Sequence, residues 1–206
     1  MKPRWARQTP APKTISNLLP SDGRVVNLVH YSTEEGRESS MLADLIRIHE
    51  LAGPNLDGFQ INIAWPEIRL IDDYRMTFGF TKRIILQIGR KAMEIVGDET
   101  REAVDMLYHY AGSIDDVLID MSGGLGKPID VEHTFEFLRA IKEREWDLGL
   151  GVAGGLGPDS LHFIEPLIAE FPNLNIDAQG KLRNTENDLD LSVVSTYLNR
   201  ALQLLS

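Results

Sequence analysis

The chain has 206 residues and not one cysteine, which excludes disulfides, thiolate metal sites and a cysteine nucleophile or base at once. Aromatic residues make up only 7%, and no apolar run approaches the roughly 20 residues that span a bilayer. Basic residues are outnumbered 21 to 31 by acidic ones, and a formal net charge of -10 argues against the basic stripe that a phosphate-backbone binder exchanges for counterions. Nucleic acid and membrane are therefore not expected partners, while a local basic pocket stays compatible with the balance. His49, His109, His133 and His162 fall in helical contexts without the paired spacing of a metal site, so no metal is expected. Lys2, Arg4 and Arg7 lead into Thr9-Pro10-Ala11-Pro12-Lys13 rather than an apolar core. That is not a secretory signal, and a cytoplasmic location is expected.

What is present is a regular alternation. Residues 1–24, with Pro3, Pro10, Pro12 and Pro20, cannot form a continuous helix and read as an N-terminal arm. From residue 25 to 206 apolar strands alternate with amphipathic stretches and no composition break, which is the α/β signature of a single domain. The strands are expected over 25–31, 58–64, 83–88, 117–121, 148–153 and 174–177. Helices are expected over 39–52, 98–111, 131–143, 159–170 and 191–205, with a short one opening at Pro66. Continuous apolar runs such as 83–88 suit strands of a parallel sheet.

Two strand ends carry the chemistry. Residues 117–127, Val-Leu-Ile-Asp-Met-Ser-Gly-Gly-Leu-Gly-Lys, deliver one carboxylate, Asp120, and then a glycine-rich turn. Residues 150–159 repeat the plan, with Gly154-Gly155 ahead of Pro158-Asp159 at an apparent helix start. Glycines bare backbone N–H groups, and with the positive end of a helix dipole behind them they suit a phosphate or another anion. The same residues also have plainer readings. Asp120 can cap its turn, Gly154-Gly155 can be a tight turn, and Lys127 can be a solvated loop lysine.

The run Asp120-Met121-Ser122-Gly123-Gly124-Leu125-Gly126-Lys127, then Ala153-Gly154-Gly155-Leu156, then Asp177-Ala178-Gln179-Gly180, resembles the C-terminal half of phosphoribosylanthranilate isomerase over about residues 115–183. The resemblance implies a TIM-type (β/α)8 barrel, irregular or with fewer than eight clear strands, since six are visible. The missing strands could lie at 92–96 and in the lead-in, and a six-stranded doubly wound sheet is the alternative architecture. It further implies a tryptophan-biosynthesis type of reaction, the Amadori rearrangement of an aminoaldose to an aminoketose, without a cofactor. In that scheme Asp120 is the general acid. Gly154 and Gly155 donate to the substrate phosphate, Gln179 and Gly180 flank it, and Gly123, Gly124, Gly126 and Lys127 form the turn beside it. Arg69, in Trp65-Pro66-Glu67-Ile68-Arg69, corresponds to an arginine for the substrate carboxylate, or else pairs with Glu67 or Asp73.

The departure is on the first strand. The family's base is a cysteine, and Asn27-Leu28-Val29-His30-Tyr31 has none. His30 is the candidate replacement, because an imidazole titrates near neutrality; a structural, hydrogen-bonded histidine facing away from the barrel mouth is the competing reading. The sequence thus points to a phosphosugar-binding protein of this isomerase type with altered chemistry and a small phosphorylated metabolite as ligand. Another phosphosugar epimerase or aldolase, or a non-catalytic ligand-binding or interaction protein, is the alternative. An aldolase would commonly need a strand lysine, whereas Lys82 precedes its strand and Lys127 follows its turn. Trp5, Trp65 and Trp146 suit an interface or a core equally, leaving the oligomeric state open.

Overall fold

The computed structural model describes residues 9–122 and 128–205. Alternation along the strands sets the architecture. Phe59, Ile61, Ile84, Leu86, Ile88, Val117, Ile119 and Val152 occupy one side of the sheet and are buried, where helices cover them; Phe59, for example, meets the Tyr74 ring edge-on at 5.3 Å. The intervening positions take the other side, because successive side chains of a strand point to opposite faces.

Six strands form one sheet: β1 (Leu28–Tyr31), β2 (Gly58–Ile61), β3 (Arg83–Gly89), β4 (Asp116–Asp120), β5 (Gly149–Ala153) and β6 (Asn175–Asp177). Their order is β1-β2-β3-β4-β5-β6 and every pairing is parallel. The connections run through α1 (Met41–Ala52), α2 (Ile68–Phe78), α3 (Arg90–Ile95), α4 (Thr100–Leu107), α5 (Val131–Lys142) and α6 (Glu165–Glu170), and α7 (Leu191–Leu204) follows β6. Strand order without a reversal rules out the doubly wound alternative. The fold is TIM-like, a curled half-barrel with six strands among the described residues rather than eight. The curl is visible in the side chains: His30 on β1 and Asp177 on β6, at the two edges of the sheet, line one and the same cavity.

Among the described residues, neither position suggested for a further strand holds one. Residues 92–96 lie mostly in α3, where Ala92 and Met93 are buried while Ile95 is exposed, a helical rather than alternating pattern, and Arg90 bonds Glu94 one turn on. The lead-in forms a 3-10 turn, Pro12–Leu18, that packs on α1, tied down by Asn55 donating to the Leu19 carbonyl and Asn27 to that of Pro20. The helix after Pro66 has 11 residues and is not short. The helix expected over 159–170 is broken into a 3-10 turn, Leu161–Ile164, and α6, since Pro166 lacks the N–H that a continuous helix would need and is tolerated only in a first turn. Asp130 caps α5 by accepting from the His133 amide, and Asp190 caps α7 by accepting from Ser192 and Val193.

The inner face has two ends. At the N-terminal ends of the strands Arg83 clamps Asp116 through two bonds of 2.5 and 2.6 Å, and beside it Arg75 pairs with Asp115. Glycine at β5 makes room, because a Cβ on Gly149 would overlap the Asp116 carboxylate. That end is closed, and the opposite end opens into a cavity.

Candidate functional site at the C-terminal ends of the strands

The cavity encloses about 1200 Å³, ample for a small metabolite. Its floor is built from inward positions near the strand ends. In register, His30 of β1 lies beside Gln60 of β2, and Gln87 of β3 and Asp120 of β4 continue the same side. The Gln60 amide nitrogen is 3.1 Å from His30 Nδ1 and donates to Gln87 Oε1 at 2.9 Å, and Gln87 Nε2 donates to Asp120 Oδ2 at 2.9 Å. The other Asp120 oxygen accepts from the Ser122 hydroxyl at 2.6 Å and the Ser122 amide at 3.1 Å. Asp177 ends β6 on this side as well. A chain of amides thus joins an imidazole to one carboxylate, with a second carboxylate lining the same cavity.

Electrostatics push two of these groups toward neutrality. Protein atoms crowd His30 on most sides although it opens to the cavity, and this burial lowers its pKa despite the opposing pull of Asp177 and Asp120. An amide nitrogen can only donate, so the Nδ1 that faces Gln60 is placed to accept, as in a neutral ring. Burial raises the pKa of Asp177, against the stabilising effect of His30, and the Asp120 charge adds to the rise. Buried Tyr197 of α7 has its phenol pushed up to about 12, first by burial and then by Asp177.

The rim is formed by two turns. Gly154 and Gly155 follow β5 with φ of 123° and 60°, conformations that glycine adopts without strain. A Cβ on Gly154 would lie 3.6 Å from Ser122 Cβ and 3.9 Å from Asp120 Oδ1, so this turn borders the carboxylate. Ser160 braces it, accepting from the Gly157 amide at 2.9 Å and donating to the Gly155 carbonyl at 3.0 Å. The turn after β6 brings Gln179, Gly180 and Lys181 to the same cavity. Gly157 allows the two turns to touch, since a Cβ there would stand 2.7 Å from Lys181 Cβ. On the far wall, Pro10, Pro12 and Ile15 of the lead-in meet Arg47 and Ile48 of α1. Tyr31 holds α1 in place by donating to Asp44 at 2.9 Å. Arg90 and Lys91 also line the cavity but pair with Glu94 and Glu35. Lys181 and Arg47 have no ion pair among the described residues.

Of the residues singled out in the sequence, Asp120, His30, Gly154, Gly155, Gln179 and Gly180 line this one cavity. Arg69 does not. It sits on the exposed first turn of α2, 3.3 Å from Glu67, because the helix that begins just after Glu67 turns its side chain outward. Gly123, Gly124, Gly126 and Lys127 lie outside the described residues. Asp177, Gln60, Gln87 and Lys181 went unmarked. Their signal was a polar residue at an inward position of an otherwise apolar strand, Phe59-Gln60-Ile61 and Leu86-Gln87-Ile88, and an aspartate ending β6 as Asp120 ends β4. Among the described residues no group of His, Asp and Glu could hold a metal ion, and no helix is long and apolar enough to cross a membrane.

No protein-family model matches the chain, and no curated protein sequence does. Its structure is similar to that of a phosphoribosyl anthranilate isomerase from Thermus thermophilus, with a TM-score of 0.62 over 94% of this chain and 81% of that one, at 14% sequence identity. At that identity the likeness is one of fold: the chain has the TIM-like architecture of such an isomerase.

Proposed function

We propose that the protein binds a small phosphorylated, sugar-like metabolite at the C-terminal ends of its strands and moves a proton on it, in the manner of an aldose–ketose isomerase whose base is not a cysteine. The phosphate would sit on the Gly154-Gly155 and Gln179-Gly180 turns, with Lys181 supplying charge. The observation that carries this reading is the cavity floor, where His30, Gln60, Gln87 and Asp120 form one hydrogen-bonded row and Asp177 lines the same cavity, with burial moving the pKa of His30 down and that of Asp177 up. A neutral imidazole is a competent base, and a carboxyl with a raised pKa is a competent acid. For an aminoaldose, Asp120 or Asp177 would protonate the ring oxygen as the ring opens, and His30 would take the proton from the adjacent carbon.

A second reading, a ligand-binding protein without turnover, is favoured by one observation. Both Asp120 oxygens already accept hydrogen bonds from Gln87 and Ser122, so the carboxylate is well satisfied without a substrate. Two measurements separate the readings. Titrating phosphate, and then a panel of phosphosugars including phosphoribosylanthranilate, against melting temperature should raise it, because a ligand of the native state stabilises by mass action. Turnover of the stabilising compound on the order of 1 per second or more, lost in His30→Ala, supports the isomerase. Stabilisation without turnover supports the binding protein, and no response to any phosphorylated compound defeats both.

A further inference from the structure

Helix α7 carries two apolar stripes, and only one is packed among the described residues. Tyr197 and Ala201 are buried, and Val193 and Leu204 pack against the core. A second line runs along the solvent side: Leu191, Leu198, Leu202 and Leu205 are 77%, 52%, 68% and 39% exposed. Their spacings of seven, four and three residues keep them on one narrow seam, the a/d pattern of helices that pair by knobs into holes. Ser195 fills the remaining position of that seam. Large exposed apolar stripes of this kind mark interaction sites.

Charge selects the occupant. The chain carries a net charge of -10, yet residues 191–205 contain no acidic residue, and Arg200, their one basic residue, is engaged with Asp159 at 2.8 Å and the Pro158 carbonyl at 2.7 Å. A charged partner finds nothing here to pair with. Two copies of an acidic chain repel one another except across a neutral face, and a leucine seam is complementary to itself. We infer that α7 is a homodimer interface in which the seams of two copies pack about a two-fold axis, as closed symmetric dimers do. A helix of this length spans only about 21 Å, short of the roughly 800 Å² per partner of a standard interface. The nearby exposed Leu189 and Phe163 add apolar surface, and the association is concentration-dependent.

Sedimentation velocity of the full chain over a wide concentration range tests this. The expected result is a monomer–dimer equilibrium, lost in Leu198→Glu and in Leu202→Glu, with circular dichroism and the melting of dilute, monomeric protein unchanged because both side chains are exposed. Leu198 is the midpoint of the seam, seven residues from either end, so a two-fold axis sets it near its own mate. In a chain without cysteine, Leu198→Cys should oxidise to a covalent dimer far more completely than Met76→Cys, a more open site on α2. A wild-type protein that remains monomeric, with its N-terminal segment or nothing covering the seam, overturns the inference. So does a dimer that survives both glutamate substitutions, or equal cross-linking at the two cysteine sites.

Discussion

The two ends of the sheet's inner face both hold aspartates, and they treat them in opposite ways. At the lower end Asp116, 3% exposed, is matched by a two-pronged arginine in a space that glycine at β5 leaves free. At the upper end Asp120 and Asp177 share a floor with His30, Gln60 and Gln87, joined by amides, and no arginine or lysine pairs with either aspartate among the described residues. A matched ion pair stabilises a fold by cancelling charge. A buried carboxyl without a cation beside it costs stability, and at Asp177 burial moves the pKa upward. The difference teaches that charge is cancelled within the fold at the lower end and left facing the cavity at the upper one.

The largest effect should come from the upper end in turnover. Asp120→Asn in a protein that turns over a phosphosugar is expected to lower kcat by about 10²- to 10⁴-fold while leaving phosphate affinity nearly unchanged, read by steady-state kinetics beside a phosphate titration. A loss of binding instead would make Asp120 a ligand contact rather than an acid. Next is the lower end in stability. Arg83→Met leaves a buried carboxylate without its partner and should cost about 3 kcal/mol in urea unfolding, at the low end for a broken buried pair because water reaches the arginine. If Asp120→Asn destabilises the protein as much, the contrast between the ends is wrong.

A smaller effect is expected at the rim. Gly154→Ala places a side chain at a φ of 123° and should cost on the order of 1–3 kcal/mol, with a weakened response of the melting temperature to phosphate. The smallest effects are in pH dependence. The folded pKa of His30 lies below its ordinary 6.5, so the unfolded chain binds the extra proton, and this contribution to stability is whole above 6.5 and falls as pH drops below it. For Asp177 the folded value lies above 3.8. The folded chain binds more protons there, and stability falls as pH rises through the folded value. His30→Gln should therefore flatten the acid side of a melting-temperature profile, and Asp177→Asn should raise the melting temperature at neutral pH, a sign opposite to that of Arg83→Met.

Much of this was legible in the chain because it is local. All six strands stand within a few residues of where alternation and apolar runs put them, and Asp120 and Gly154-Gly155 announce themselves by position at strand ends. Gln87 was passed over because residues 83–88 read as a continuous apolar run, when the physics of a curled sheet makes one polar residue among apolar neighbours the informative one. Arg69 was drawn into the site by likeness of segment, and one helical turn carried it to the surface beside Glu67.

By itself the sequence determined the βα alternation, the absence of any thiol chemistry, and the glycine turns at the strand ends, since each depends on residue type and short spacing. Which inward residues meet was decided only in three dimensions. His30 and Asp177 stand at opposite edges of the sheet and 147 residues apart (177 − 30), and no periodicity relates them. The twist and curl of six parallel strands turn both residues toward one cavity, and burial there lowers the pKa of His30 and raises that of Asp177.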